Sequence, residues 1–137
     1  MTILVTAGPT VEPIDPVRFI SNRSTGAMGL AIAKAAKKKG HRVILISGPS
    51  ALTARGMRRQ VNKRFRACDA VIMAAAVADY RPLRAAAAKI KKSAGRLTLR
   101  LVKNPDILAG IGRKKERGFS SGSRWRRKIF TKTPAKN

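Results

Sequence analysis

The sequence predicts an α/β fold on a mainly parallel sheet. Three observations predict it. Short runs rich in Val and Ile recur at residues 3–6, 43–46 and 70–76, with segments of helical composition between them. The second run is continuously apolar, as a strand covered by helices on both faces must be. The order strand, helix, strand, helix, strand is that of α/β domains, which use right-handed crossovers.

The elements follow in order. Residues 3–6 are the first strand, broken by Ala7-Gly8-Pro9-Thr10. Residues 11–25 are turn-rich, with Pro13, Asp15, Pro16, Asn22 and Ser24. That is long for a strand-to-helix connection, so a functional loop is expected. Alanines favour a helix over residues 26–39, with Ser24 or Thr25 as its cap. Lys37, Lys38 and Lys39 complement its negative end, and Gly40 stops it. Residues 42–47 are the second strand, ended by Gly48-Pro49-Ser50, and residues 53–66 a basic helix. Asp69 precedes a third strand over 70–76. Residues 97–102 alternate apolar and basic, as a half-exposed strand does. Pro105 is placed in the first turn of a last helix reaching about Glu116, with Asp106 near its positive end.

At 137 residues the chain makes one domain. Aromatic content of 4% implies an aliphatic core. No apolar run approaches the roughly 18 residues of a spanning helix, and no signal peptide opens the chain. One cysteine, Cys68, rules out an internal disulfide or a Cys-based zinc cluster and suits a reducing cytoplasm. The 31 Lys and Arg against 6 Asp and Glu give +25, which predicts non-specific attraction to polyanions. A site for phosphorylated ligands in an acid-poor protein accounts for the same balance.

The most informative segment is Met73-Ala74-Ala75-Ala76-Val77-Ala78-Asp79, with Lys89-Ile90-Lys91-Lys92 and Lys103-Asn104-Pro105-Asp106 after it. Small residues let a planar ligand approach the backbone, lysines neutralise phosphates, and a polar turn opens a helix. This is the residue logic of a nucleotide site at a strand end. Asp79 suits a ribose hydroxyl or a metal, or is simply a turn residue. Lys89, Lys91 and Lys92 suit a triphosphate clamp or a solvated face. Gly8-Pro9-Thr10 offers backbone N–H groups to an anion or is a plain turn, and is neither Gly-x-Gly-x-x-Gly nor a Walker loop. Residues 21–26 suit a phosphate or carboxylate, or only cap the helix. His41 reads as structural, and one His with one Cys builds no nucleophilic triad.

These pieces, in this order, resemble the phosphopantothenate–cysteine ligase family. The carriers are residues 6–10, 12–18, Ser21-Asn22, Gly26 with Met28-Gly29, residues 47–49, 74–82, 89–92 and 103–106, and the match runs over residues 3–119. The resemblance implies a Rossmann-like three-layer fold and a two-step ligation. The pantothenate carboxylate attacks the α-phosphate of CTP (ATP in some relatives), releasing pyrophosphate. The cysteine amine then displaces CMP from the acyl cytidylate, with Mg2+ sharing the triphosphate charge. Asn22 resembles the amide that holds the acyl intermediate and Arg18 its phosphate-side partner. Gly8, Met73, Ala74, Ala75 and Asp79 resemble nucleotide contacts, as do Lys103, Asn104, Pro105 and Asp106. Lys89 resembles the lysine that stabilises phosphate or transition-state charge. The implied partners are 4'-phosphopantothenate, L-cysteine and CTP, in a homodimer often fused to a flavin-dependent decarboxylase, in the cytoplasm and without a membrane.

The sequence departs from that pattern in three places. Ala27 stands where relatives often carry Lys. Leu52 runs into Thr53 where relatives have about a dozen more residues, including a short strand. After Phe119 the family's apolar-Gly-Phe-Ala-x-Glu-Thr strand is missing, and residues 120–137 are basic, acid-free and aperiodic, so a disordered tail is expected. GC-rich codons for residues 119–136, read one base out of register, can encode Leu-Val-Gly-Phe-Ala-Val-Glu-Thr-Glu-Asp-Leu-Tyr-Lys-Asn-Ala. The tail is therefore expected to be a frameshift product, and the domain C-terminally truncated with weak or no turnover. The alternative is a basic nucleic-acid-binding protein, favoured by the charge and by residues 113–137. Scarce aromatics and the lack of any helix-turn-helix, RNA-recognition or zinc pattern oppose it. A Rossmann-like reductase is disfavoured by the missing glycine fingerprint.

Overall fold

The structure, a computed structural model, describes residues 1–47, 52–92, 95–117 and 128–131. Three strands and their crossovers define it: β1 (Thr2–Ala7), α1 (Ala27–Lys38), β4 (Arg42–Ser47), α2 (Ala54–Arg64) and β5 (Ala70–Met73). Between β1 and α1 lies a hairpin of β2 (Val11–Pro13) and β3 (Phe19–Ser21). After β5 come a second hairpin, β6 (Tyr80–Pro82) with β7 (Leu101–Lys103), then α3 (Ile107–Arg117) and β8 (Lys128–Thr131).

The main sheet has the order β4-β1-β5-β8, and its strand pairs are parallel. Alternation along β1 explains the three layers. Ile3 and Val5 face one side, with Ala33 of α1 and Ala70. Leu4 faces the other, with Met57 and Val61 of α2 and Ile107 and Ile111 of α3. Leu4, Val5, Met57 and Val61 have no exposed surface, and full burial of such a side chain contributes roughly 1.5–3 kcal/mol. No helix among the described residues is long and apolar enough to cross a membrane.

Local chemistry sets the element ends. The Thr53 hydroxyl accepts from the Gly56 amide at 3.0 Å, and the buried Glu12 carboxylate accepts from Ala54 N–H at 2.7 Å, so α2 starts on two side-chain acceptors. The helix α1 differs from expectation. Its cap is Gly26 at φ 74, with no side-chain cap bond. The Ser24 and Thr25 hydroxyls accept from Gly26 N–H and Ala27 N–H at 3.3 Å, too early in the turn to cap it.

Four further expectations are corrected. The third strand ends at Met73, not residue 76, because the Thr6 hydroxyl takes the Ala74 and Ala75 amides at 3.1 and 3.2 Å in place of a ladder. The strand expected over 97–102 is confined to Leu101–Lys103, the three residues that pair with Tyr80–Pro82. Pro105 lies before α3 rather than in its first turn, and Asp106 caps the helix by accepting from Ala109 N–H at 2.9 Å. Residues 128–131 form β8 beside β5, where a disordered tail is expected. The remainder of that tail, and the 48–51 junction with its missing strand, lie outside the described residues.

Candidate functional site

The strand order places a topological switch point between β1 and β5. The chain leaves β1 for β4 on one side and returns to β5 on the other. In open α/β sheets ligands bind outside the carboxyl ends of the strands at such a point. The segment after β5 lies there, and the turn after β1 holds it. Ala76 N–H donates to the Gly8 carbonyl at 2.9 Å, and Thr10 N–H to the Ala76 carbonyl at 3.2 Å. The buried Thr10 hydroxyl accepts from Ala78 N–H at 2.9 Å.

Residues 73–77 form a ridge between two clefts, with Met73, Ala75 and Val77 lining both. The first, about 830 Å³, is walled by Arg23, Ser24, Thr25 and the start of α1 at Gly26–Met28. The second, about 440 Å³, is walled by Ala78, Asp79, Lys103, Asn104, Pro105, Asp106 and the start of α3. Two helix N-termini, each favourable to negative charge, thus flank one ridge of small residues.

Gly26 lets α1 come this close. A Cβ there would stand 2.8 Å from the Gly8 nitrogen, and one on Gly29 would stand 2.6 Å from Ala7 Cβ.

The second cleft is held by Asn104. Its side-chain amide donates to the Ala78 carbonyl at 2.8 Å, and its backbone N–H to the Asp79 carbonyl at 2.6 Å. Arg81 closes the unit, donating to the Lys103 carbonyl at 2.6 Å and to Asn104 Oδ1 at 3.2 Å. Asn22 sits across the ridge, its side-chain amide donating to the Ala76 and Val77 carbonyls at 3.3 and 3.2 Å.

The predicted residues therefore fall into groups. Met73, Ala75, Asp79, Lys103, Asn104, Pro105 and Asp106 share the second cleft; Ala74 joins Met73 and Ala75 in the first. Asn22 is tied to the ridge itself. Gly8 is buried beneath Gly26 and Ala76 rather than in a cleft wall. Arg18 and Lys89 are elsewhere: with Val17, Ile90, Lys91 and Lys92 they line a third cleft of about 700 Å³. Arg18 precedes β3 and Asn22 follows it, so four residues, roughly 13 Å of extended chain, separate their backbones.

Three residues that the sequence does not mark as site side chains hold the clefts together. Thr6 and Thr10 replace the ladder above β5 with hydroxyl bonds. Asp15 anchors the third cleft: Oδ1 accepts from the Val17 and Arg18 amides, and Oδ2 from Arg18 Nε, Arg18 Nη2 and Ile90 N–H, all at 2.6–3.1 Å. Burial alone would raise the Asp15 carboxyl, but the hydrogen bonds from Val17, Arg18 and Ile90 outweigh it and hold the group well below the usual carboxylate range. The run of turn residues at 13–16 was a signal for Asp15, but not for its partner at Ile90.

Comparison with known proteins adds to this geometry. Residues 1–123 match the family described as DNA/pantothenate metabolism flavoprotein C-terminal domain. The chain is 47% identical over 131 residues to the coenzyme A biosynthesis bifunctional protein CoaBC of Escherichia coli (strain K12), covering 85% of this chain and 32% of that protein. It thus spans about a third of the length of the curated relatives it matches. A crystal structure of the C-terminal domain of CoaBC superposes with a TM-score of 0.69 at 41% identity, covering 83% of this chain and 59% of that one. The DNA/pantothenate metabolism flavoprotein from Streptococcus pneumoniae gives 0.73 at 27% identity, covering 82% and 64%.

Proposed function

The chain belongs to the DNA/pantothenate metabolism flavoprotein C-terminal domain family, and from that premise we propose that it ligates 4'-phosphopantothenate to L-cysteine through a CTP-derived acyl cytidylate. The observation that carries the reading is the Asn104 bridge, which joins the 103–106 turn to the strand-end segment at Ala78 and Asp79. It makes one cleft of two segments whose residues suit a nucleotide.

In this reading Met73, Ala74 and Ala75 let the base approach the backbone, with Gly8 beneath them. Asp79, Lys103, Asn104, Pro105 and Asp106 hold the ribose and phosphates. Asn22 orients the acyl carboxylate at the ridge. Arg18 and Lys89 neutralise phosphate charge in the third cleft. A substrate with its carboxylate and phosphate at opposite ends suits Asn22 and Arg18 standing at the two ends of β3. Both chemical steps develop charge on oxygens, so the chain's contribution is positioning and preorganised electrostatics.

The donor set fits Mg2+ carried by a nucleotide. Asp79 and Asp106 are the carboxylates lining the second cleft. Among the described residues no group of three His, Cys, Asp or Glu could hold a metal unaided. Mg2+ is commonly bound by one or two carboxylates together with substrate phosphates. Asp79 and Asp106 would hold it, and when bound it would share the triphosphate charge.

CTP is the proposed nucleotide, with ATP the competitor. The homodimer, the fused decarboxylase partner and the cytoplasmic setting belong to the same proposal, and loss of the family pattern after Phe119 supports low turnover. Pyrophosphate release that requires 4'-phosphopantothenate and CTP, with an acyl cytidylate detected by mass spectrometry and consumed when cysteine is added, is the expected result. A chain that binds neither 4'-phosphopantothenate nor CTP or ATP contradicts it.

A further inference from the structure

The segment between β6 and β7 holds Lys89, Lys91 and Lys92, yet has no regular secondary structure among its described residues. Its backbone is tied to the rest of the domain at few points. Leu83 N–H donates to the Arg100 carbonyl at 2.8 Å within the segment itself, whereas Ala86 N–H reaches the Ile14 carbonyl at 2.8 Å. A second tie is Asp15. Its Oδ2 accepts from Ile90 N–H at 3.1 Å while Arg18 Nη2, itself bonded to the same oxygen, donates to the Ile90 carbonyl at 2.7 Å. The Asp15 carboxylate, the Arg18 guanidinium and the Ile90 main chain, through its N–H and its carbonyl, thus close one ring.

Exposure divides the pair: the Asp15 side chain is fully covered, whereas that of Arg18 is 43% exposed. Asp15 is therefore out of a ligand's reach, while Arg18 keeps an open edge on the cleft it shares with Lys89, Lys91 and Lys92. With Arg96, five cations line this cleft and repel one another, and a segment without a ladder would swing away from Arg18 unless something held it. Asp15 supplies both the compensating charge and the hold.

We propose that Asp15 is a positioning residue for the phosphate-bearing substrate: it fixes the Arg18 guanidinium and the Ile90 peptide together, so that Arg18 and the 89–92 lysines act as one anion subsite. The identity of the ligand rests on the ligase reading; the clamp itself does not.

The test uses the full chain and 4'-phosphopantothenate, titrated calorimetrically. Asp15→Asn is expected to weaken binding about 10-fold, the scale of a lost charge-assisted bond. Arg18→Ala should do the same, and the double variant should be no weaker than Arg18→Ala alone, because both changes break one unit. KM for 4'-phosphopantothenate should rise in Asp15→Asn while KM for CTP stays within twofold. Hydrogen exchange at the Ile90 amide should accelerate about 10-fold while Leu4 and Val5 keep their protection. Should Asp15→Asn fail to fold, Ile90→Pro leaves Asp15 and Arg18 in place but removes the N–H that Asp15 accepts, along with the Ile90 side chain, and should weaken binding comparably. Additive effects of Asp15→Asn and Arg18→Ala overturn the proposal, as does Ile90→Pro binding with wild-type affinity. A wild-type chain that binds no 4'-phosphopantothenate overturns the ligase reading instead, and the Ile90 exchange rate then decides the clamp alone.

Discussion

The side-chain amide of Asn104 donates to the Ala78 carbonyl across 26 residues of chain, at 2.8 Å and in a buried setting. This bond makes the β5 extension and the 103–106 turn two walls of one cleft. Asn104→Ala leaves that carbonyl without its partner, at a cost of about 1–3 kcal/mol. Chemical denaturation should show a loss of that size, and CTP affinity should fall with it. Asn104→Asp keeps the volume but turns an oxygen towards the carbonyl, and should be no better.

Asn22 acts on the ridge without being part of the core. Its Nδ2 donates to the Ala76 and Val77 carbonyls, and Asn22→Asp replaces that donor with a charged acceptor. Stability should change by no more than about 0.5 kcal/mol, because the residue is exposed. Acyl-cytidylate formation should fall by about 10²-fold, as expected when a positioning group is displaced. Equal losses in stability and activity would show that Asn22 is merely structural.

Two glycines should respond in opposite directions to alanine. At Gly29 a Cβ would meet Ala7 Cβ at 2.6 Å and the Thr6 carbonyl at 2.7 Å, so β1 and α1 must separate. Gly29→Ala should cost about 1–3 kcal/mol and lower Tm by several degrees. A Cβ on Gly110, inside α3, meets nothing within 4 Å. Gly110→Ala should stabilise by about 0.5–1 kcal/mol through helix propensity.

Acid should weaken the chain partly through Asp15. Its folded carboxyl titrates well below the unfolded value of about 3.9 because Val17, Arg18 and Ile90 donate to it. The unfolded state therefore binds more protons between those two values. The Asp15 contribution is full above about pH 4 and is lost as pH falls towards the folded pKa. Urea midpoints at about pH 5 and pH 3 should differ less in Asp15→Asn than in the wild-type chain.

What the sequence disclosed follows from the range of its interactions. β1 and β4 were legible because Ile3–Val5 and Val43–Ile46 are continuous runs of apolar, mostly β-branched residues at their centres. β5 was read too long because Ala74–Ala76 look like strand, and only the fold brings the Thr6 hydroxyl to their amides. The two hairpins escaped notice because three-residue strands containing Pro13 or Pro82 carry no period. The second cleft was legible as contiguous residue types at 73–79 and 103–106. The separate cleft of Arg18 and Lys89 was not, because it depends on the pairing of Asp15 with Ile90, which no local spacing encodes.

The central claim is that the switch-point clefts bind a nucleotide by shape rather than by charge alone. Calorimetric titration of CTP with Mg2+ into the full chain, at low and at about 0.5 M salt, with a mixed-sequence RNA as comparison, tests it most directly. One saturable CTP site that survives the added salt, and that Asn104→Ala and Asp79→Ala each weaken, is the predicted result. CTP affinity that collapses with salt as steeply as RNA affinity does, and ignores both substitutions, would contradict it.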